Sequence, residues 1–357
     1  MIRAVLCFLA LCCAVPAQAT SLVIGFQNRD LDIDTGLVPD LDPIANDQLS
    51  LRTTLALDLG PQWTVIADAG WARSFLELTD ATLTGMTDVR LRGLFRPTPE
   101  WAIGAGTILP LGLYELNSLE VTTTQWTWNP RSQFPINKFG EGWGWEATAA
   151  RSFVLSPTTT LGFAAAYLSH AEVDLLQGGR GECQWSPEVG VSGALEVNLS
   201  RTSRVRFVGS YTFFGKDQLN GEDVVDQGNQ INLGGQVNAP VGRMATVWGA
   251  SVTFKGDNEL YGASDSTAVI PQAPGTYVGA YGRLAWALGA RMLLNVEGRM
   301  LHVSGSEYAL GVNVTSWSAG PGLGLKLSPA VALNGRWMAV WGDGDDDLSF
   351  KGSDWLF

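Results

Sequence analysis

Hydrophobic and polar residues alternate along many short stretches of this chain. In residues 230–238, for example, Ile231, Leu233 and Val237 fall on one side of an extended chain, while Gln and Asn residues fall on the other. Each stretch is about ten residues long, and turns containing Gly, Pro or Ser separate many of them. The pattern therefore predicts two-faced β-strands that are joined in pairs as hairpins.

Seven such hairpins follow one another along the chain. They cover residues 49–74, 87–109, 143–170, 187–213, 230–254, 277–302 and 316–341. These hairpins alone give fourteen strands. Residues 22–33 and 348–357 can each add one strand, which brings both chain ends to the same side and raises the expected number to about sixteen.

Short turns join the two strands within each hairpin, whereas long segments connect one hairpin to the next. The long segments are residues 115–141, 171–186, 215–227, 256–275 and 304–313. This asymmetry is typical of outer-membrane barrels, in which the short turns are periplasmic and the long loops extracellular. We therefore predict an all-β fold, a transmembrane antiparallel up-and-down β-barrel.

The alternative is a soluble β-sandwich or solenoid that buries its apolar faces in one shared core. Such a fold does not need tryptophans close to the ends of its strands. In this chain tryptophans stand where the aromatic girdle of a membrane barrel lies, at Trp63, Trp101, Trp143, Trp145 and Trp341. Their positions favour the barrel.

The first 19 residues have the pattern of an export signal. Arg3 provides the positive start, residues 4–15 the apolar core and residues 17–19, Ala-Gln-Ala, the cleavage site. The apolar stretch is too short for a membrane anchor. We predict a signal peptide at residues 1–19, an outer-membrane barrel at residues 20–357, and a location in the outer membrane of a Gram-negative bacterium.

Composition excludes several classes of protein. The net charge of −12 argues against nucleic acid as a partner, because phosphate recognition requires basic surface. Only 16% of residues are charged, and the chain contains 42 Gly and 14 Trp, unlike an ordinary secreted enzyme. Three of the four cysteines belong to the predicted signal, and we expect the remaining Cys183 to be an unpaired loop thiol.

If the apolar faces meet lipid, the charged residues of the opposite faces line the lumen. We predict pore-lining roles for Asp88, Arg90, Arg92, Glu188, Glu196, Arg204, Arg206, Glu297, Arg299 and Arg336. Acidic and basic groups alternate among neighbouring strands. They therefore either form a constriction that selects ions, or pair with one another to stabilise a narrow barrel.

The longest connection, residues 115–141, is rich in aromatic residues. It carries Trp126, Trp128 and Phe134, which we predict to form a constriction if the loop folds into the barrel. Alternatively, the loop packs over the rim as a lid.

Acidic runs occur at residues 30–47 and 343–347. The first resembles a calcium-binding loop, but Thr35 occupies the position where an EF-hand requires glycine. We predict no metal site here. The carboxylates are either solvated extracellular groups or bind divalent ions that bridge to lipopolysaccharide.

Two resemblances to known families can be named. The chain ends in Asp-Trp-Leu-Phe, which is similar to the signal by which the barrel-assembly machinery recognises outer-membrane proteins through a terminal phenylalanine, here Phe357. Residues 87–112, which run from an Asp-Val-x-Leu strand to Leu109-Pro110-Leu111-Gly112, resemble a segment of the outer-membrane transporter family associated with the meta-pathway of phenol degradation. This second resemblance implies a channel for small aromatic or apolar compounds.

An enzyme is the rival class. His302 and Ser304 share one face of a strand, similar to the His-x-Ser arrangement of lipid A deacylases, but Gly305 replaces the asparagine expected next. Because Met300 lies on the same face, that face is expected to meet lipid. A lipid hydrolase using this pair and a structural or adhesin barrel remain the two alternatives.

We predict a non-enzymatic channel for passive diffusion of small solutes, without a cofactor. Its expected partners are outer-membrane lipid, lipopolysaccharide and the diffusing solutes.

Overall fold

The structure is a computed structural model. It describes residues 20–34, 43–113, 116–117, 119–120, 123–124, 133–136, 139–174, 181–261, 275–304, 313–328, 331–345 and 348–357. The predicted signal peptide lies outside these ranges and stays a prediction. Within these ranges, no helix has the length and apolar character required to cross a membrane.

Nearly all of the described chain is extended. The strands are β1 (Thr20–Asp34), β2 (Ile44–Asp58), β3 (Trp63–Leu76), β4 (Ala81–Met86), β5 (Val89–Thr98), β6 (Trp101–Leu109), β7 (Gly144–Ser156), β8 (Thr159–His170), β9 (Val173–Asp174), β10 (Glu182–Gln184), β11 (Glu188–Asn198), β12 (Arg204–Phe214), β13 (Lys216–Leu219), β14 (Glu222–Asp226), β15 (Gln230–Val241), β16 (Met244–Lys255), β17 (Glu259–Leu260), β18 (Gly275–Ala287), β19 (Met292–Ser304), β20 (Val314–Lys326), β21 (Ala332–Gly344) and β22 (Ser349–Leu356). One 3₁₀ turn, Glu77–Thr79, joins β3 to β4.

The strands β4 and β5 are two halves of one barrel strand. The upper half of β3 pairs with β4, from Trp71 to Leu76, and its lower half pairs with β5, from Trp63 to Asp68. The interruption falls at Thr87 and Asp88, where Thr87 keeps a backbone bond to Gly70. The predicted hairpin beginning at Thr87 is thus longer than the alternation indicated, because its first strand starts at Ala81.

The main sheet is antiparallel and closes on itself. Each strand pairs with the next one around the ring, and β1 pairs with β22 from Gln27–Leu356 to Asp34–Ser349. Counting β4 and β5 together, the seventeen strands of the sheet form sixteen barrel strands. The prediction of an all-β barrel with about sixteen strands is confirmed. Residues 22–33 and 348–357 both contribute to it, so a count of fourteen would leave the ring open.

The outer surface of the barrel is apolar. Val191, Leu233 and Trp248 are each between 45% and 52% exposed on faces that alternate with polar, less exposed residues. The five tryptophans assigned to a girdle are all exposed. Trp63 stacks on Phe95 with ring centroids 4.7 Å apart, and the Arg151 guanidinium lies 5.0 Å from the Trp101 ring centre. An apolar belt bounded by exposed aromatic rings suits a lipid bilayer.

Three of the long connections join in a structure that the alternation did not reveal. Strands β9, β10, β13, β14 and β17 pair as a five-stranded sheet at the loop end of the barrel, here called the rim sheet. Cys183 is buried in it, on β10 opposite Leu219, so it lies in a strand and not in the expected loop. Lys216 Nζ donates a hydrogen bond to Asp223 at 3.0 Å, which raises the pKa of Lys216 and lowers that of Asp223. These strands are too short to carry a readable period.

A buried polar network, here called the seam network, holds together the strands that close the barrel. Asp354 on β22 accepts a hydrogen bond from Gln27 Nε2 at 2.7 Å. Arg29 on β1 and Arg336 on β21 approach the same carboxylate at 3.8 Å and 3.9 Å. Arg29 and Asp354 are only 4% and 3% exposed. Asp354 therefore links its own strand, β22, to both of its neighbours, β1 and β21.

Replacing Asp354 is expected to destabilise the barrel. Asp354→Ala leaves the buried Arg29 without its counter-charge, so the free energy of unfolding should fall by about 3 kcal/mol. Urea unfolding in lipid vesicles, followed by tryptophan fluorescence, measures this change. Asp343→Ala is the matched control, because Asp343 is exposed at the end of β21 and should change stability by less than about 0.5 kcal/mol. Equal effects of the two variants would contradict the role of the seam network.

Candidate functional site: the barrel lumen

Part of the connection between β6 and β7 lies inside the barrel. Gln48 bonds the backbone of Ile136 twice: its Nε2 donates to the carbonyl at 2.7 Å, and its Oε1 accepts from the amide at 3.0 Å. Gln133 Nε2 donates to Ser316 Oγ at 2.9 Å. Gln48 and Ser316 point inward from β2 and β20, and both are fully or almost fully buried. Residues 133–136 therefore connect the inner faces of β2 and β20. In the ring, these two strands are separated by β21, β22 and β1.

Two apolar clusters fix the same loop against the barrel wall. The first contains Phe134 from the loop and residues from β1, β20, β21 and the β22 region, namely Leu31, Ile33, Val314, Val340, Leu348 and Phe350. The second contains Ile136, Phe139 and Leu116 from the loop, packed on Ala72 and Leu83 of β3 and β4. Burial of these side chains offsets the entropy lost when a long loop is ordered.

Of the three residues predicted to form a constriction, Phe134 is described and is 7% exposed. Its ring packs in the first apolar cluster instead of standing free in the lumen. Trp126 and Trp128 lie outside the described residues. The described loop residues that contact the inner wall lie in 133–136 and 139–141, and the role of the three aromatic residues in conduction stays a prediction.

Charged groups on β3, β5 and β7 form one wall of the lumen, here called the acidic wall. Arg92 pairs with Asp68 and lies 3.5 Å from Glu146. Arg90 pairs with Glu141 of the inward loop at 2.5 Å. Glu188, on β11, lies within electrostatic range of Arg90. Together with Asp68, these side chains give four carboxylates to two guanidinium groups.

The opposite side of the barrel carries a second group, here called the basic wall. Glu297 on β19 pairs with Arg299 at 2.5 Å and with Arg336 at 3.2 Å. Arg283 on β18 has no ion pair among the described residues. With Arg29 and Asp354 of the seam network, this wall has four guanidinium groups to two carboxylates. A cavity of about 570 Å³ opens beside it and is lined in part by Tyr281, Gln133 and Ser318.

A third charged group lies near the short turns. Glu196 on β11 accepts from Arg204 on β12 at 3.3 Å, and Arg206 is the register partner of Glu196. Both arginines are exposed, and all three residues are close to the turn that joins the two strands. These three predicted residues are therefore separate from the charged walls deeper in the lumen.

Asp88 occupies a different setting from the other predicted lumen residues. It is 8% exposed, and its carboxylate accepts hydrogen bonds from the backbone at both ends of the β6–β7 loop. Its side chain borders a small cavity of about 190 Å³ between the loop and β2–β5.

Several members of these walls were missed in the sequence. Glu141 was counted as loop, and Arg29, Asp354 and Gln48 lie at or outside the ends of the predicted hairpins. The alternation could have indicated an inward direction for Gln48, since it shares a strand face with Ser50 and Arg52. Arg283 shares its face with apolar and glycine residues, so the alternation gave it no polar character.

The two residues of the hydrolase hypothesis are not joined to one another in the described contacts. His302 Nδ1 lies 2.8 Å from Thr315 Oγ1, and Ser304 Oγ donates to the Thr276 carbonyl at 3.5 Å. A serine nucleophile requires a base within hydrogen-bond reach. The residues that follow Ser304, 305–312, are outside the described ranges.

The acidic run at residues 30–47 is partly described. Asp30 accepts two hydrogen bonds from Asn28, at 2.9 Å and 3.0 Å, and Asp32 and Asp34 are exposed. Among the described side chains, no group of three or more His, Cys, Asp or Glu residues is arranged to hold a metal ion. Binding of divalent ions that bridge to lipopolysaccharide stays a prediction.

No protein-family model matches the chain, and comparison with curated proteins gives no match. Solved structures of similar architecture include Pseudomonas aeruginosa OpdQ, 7% identical with a TM-score of 0.46 over 95% of this chain and 98% of that chain. Pseudomonas aeruginosa OccK1 (OpdK) is 13% identical with a TM-score of 0.45, covering 94% and 97% of the two chains. A mutant Rh. blastica porin is 12% identical with a TM-score of 0.43, covering 95% and 99%.

Identities and TM-scores this low carry no argument about function. The closed strand ring and its exposed apolar belt define the chain as an outer-membrane β-barrel. The solute must be inferred from the lumen itself, because no matching family model supports the resemblance of residues 87–112 to the phenol-degradation transporters.

Replacing Ser304 tests the hydrolase hypothesis. Ser304 and His302 bond to other residues. We therefore expect the unaltered protein and Ser304→Ala to release fatty acid from phospholipid micelles at the same background rate. Heat-denatured protein provides that background. Release above background that disappears in Ser304→Ala would establish the hydrolase instead.

Proposed function

We propose that this barrel is an outer-membrane channel for passive diffusion of small solutes. The observation that carries the proposal is the pair of oppositely charged walls on opposite arcs of a barrel whose interior also holds described residues of the β6–β7 loop. The solute gradient drives the flow, and no cofactor takes part.

The two walls occupy opposite arcs of the ring. The acidic wall extends from β3 to β11, and the basic wall extends from β18 through β22 to β1. Their excess charges have opposite sign, so a field crosses the lumen at right angles to the direction of flow. Such a field orients dipolar solutes and acts differently on cations and anions.

Ion pairing within each wall does not cancel this field. Most of the carboxylates have guanidinium partners, which supports the interpretation that the pairs stabilise the barrel. After pairing, the acidic wall still has an excess of carboxylates and the basic wall an excess of guanidinium groups. Arg283, which belongs to the basic wall, lines the larger cavity. The same residues therefore serve both stability and selectivity.

The larger cavity suits a small organic solute. Its volume of about 570 Å³ is in the range of small-molecule sites. Val247, Leu301 and Tyr281 give it apolar and aromatic surface, while Ser318 and Arg299 supply polar groups. This mixture supports solutes that combine an apolar or aromatic body with a polar group.

Membrane lipid and the assembly machinery are the partners that we propose. Phe357 pairs through its backbone with Phe26 at 2.8 Å and 2.9 Å, and its ring is 59% exposed on the outer surface. The terminal ring is therefore accessible to an assembly factor that reads the last strand.

The direct test is electrical. Refolded protein in a planar bilayer should give discrete conductance steps, and the same protein in liposomes should permit swelling in a small sugar. Heat-denatured protein is the control for leakage. A folded, inserted barrel that gives neither current nor swelling would rule out the open channel. Uptake of an aromatic tracer without current would instead identify a channel for hydrophobic compounds.

Ion selectivity should respond to the basic wall. Glu297→Gln removes the carboxylate that neutralises Arg299 and Arg336, so the cation-to-anion permeability ratio should fall by about twofold or more. Arg283→Ala should raise the ratio. Reversal potentials in a KCl gradient measure both changes.

Glu196→Gln is the matched control, since it removes one carboxylate near the short turns. It should alter the permeability ratio less than Glu297→Gln does. Equal shifts from the two variants would mean that total lumen charge, rather than the facing walls, sets the selectivity.

A further inference from the structure

The start and the end of the β6–β7 loop meet at one carboxylate. Asp88 Oδ1 accepts from the Gly112 amide at 2.7 Å. Asp88 Oδ2 accepts from the amides of Glu141 and Gly142, at 2.6 Å and 3.0 Å. A single side chain thus binds the chain where the loop leaves the wall and where it returns.

An ionised carboxylate suits this position because its oxygens act only as acceptors, and the three groups bonded to them are backbone N–H donors. Replacement by asparagine keeps the shape but turns one oxygen into an NH₂ group, which must then face at least one backbone N–H. Asp88 itself is 8% exposed and Gly142 is buried, so a displaced amide at this end of the loop has little access to solvent. Hydrogen bonds to charged groups are also stronger than those between neutral groups.

The backbone around Asp88 shows a second, independent adaptation. A Cβ atom at Gly112 would lie 2.1 Å from the Phe139 carbonyl oxygen and 2.7 Å from Asp88 Oδ1. Gly142 has φ of +81°, a conformation that glycine adopts without strain. The two glycines let the two ends of the loop approach closely enough to share one carboxylate.

One ion pair extends the same junction. Glu141 donates its amide to Asp88 and pairs through its side chain with Arg90, two residues further along the strand. The interruption between β4 and β5 places Asp88 where its side chain reaches the loop instead of continuing the ladder. The break in the barrel strand and the loop junction therefore coincide.

We propose that Asp88 is a positioning residue that fixes both ends of the β6–β7 loop inside the barrel and thereby sets the width of the lumen. It does not select ions directly. The effect on channel width rests on the proposed function, whereas the anchoring of the loop does not.

Hydrogen exchange tests the anchoring directly. The amides of Gly112, Glu141 and Gly142 should exchange about tenfold faster or more in Asp88→Asn, the factor expected for the loss of one hydrogen bond to a charged group. Mass spectrometry of peptides covering residues 109–113 and 139–146 measures this. Peptides from β15 and β16 should keep their exchange rates. Whether each variant is folded is checked first on gels. A folded barrel should migrate differently in unheated and heated samples.

Gly112→Ala provides a second variant with the carboxylate intact. It should reproduce the faster exchange at the returning end of the loop, because the new methyl group displaces Phe139 and Asp88 from the junction. If Asp88→Asn does not fold, the exchange rates of Gly112→Ala test the proposal instead. Glu196→Gln is the charge control and should leave exchange in both peptides unchanged.

The alternative role of Asp88 gives a different result. If Asp88 only selects ions, Asp88→Asn will shift the reversal potential while the exchange of both peptides stays at the rate of the unaltered protein. That result would overturn the proposal. Because exchange requires no current, a barrel that fails to conduct can still show or refute the anchoring.

Discussion

The requirement that every backbone donor and acceptor in the bilayer be paired governs this molecule. An open sheet edge in hydrocarbon would leave a row of unsatisfied groups, each costing several kcal/mol, so the sheet must close. Closure here falls on β1 and β22, whose pairing extends to the reciprocal bonds between Phe26 and Phe357. The buried Asp354 then ties β22 to strands on both sides, which makes the seam a polar junction as well as a backbone ladder.

Closure also determines which residues can carry function. Once the apolar faces meet lipid, the charged side chains are forced into a shared interior and find partners across neighbouring strands. An excess of guanidinium groups on one arc and an excess of carboxylates on the other leave a charge difference across the lumen that local pairing does not remove. The described residues of the inward loop contact this same interior, through Gln48, Ser316 and two apolar clusters.

Much of the barrel follows from the sequence because alternation with a period of two is a local signal. The face of the sheet on which Ile231, Leu233 and Val237 lie can be predicted from their own strand alone, without the identity of the neighbouring strands. The rim sheet gave no such signal, since its strands have two to five residues each. The position of residues 133–136 could not be predicted either, because it depends on contacts with β2 and β20 that are distant in sequence. Asp88 is the instructive case: the alternation predicted that its side chain points inward, but its hydrogen-bond partners are backbone amides of a loop, which no periodicity encodes.

Described residues of the β6–β7 loop lie inside the barrel, and we infer that this loop limits the width of the lumen. Exclusion of polyethylene glycols from the open channel tests this claim most directly, by comparing the unaltered protein with a variant in which residues 113–139 are replaced by a short glycine–serine linker. We expect the variant to admit larger polymers and to conduct more. An unchanged size limit in a folded variant would contradict it.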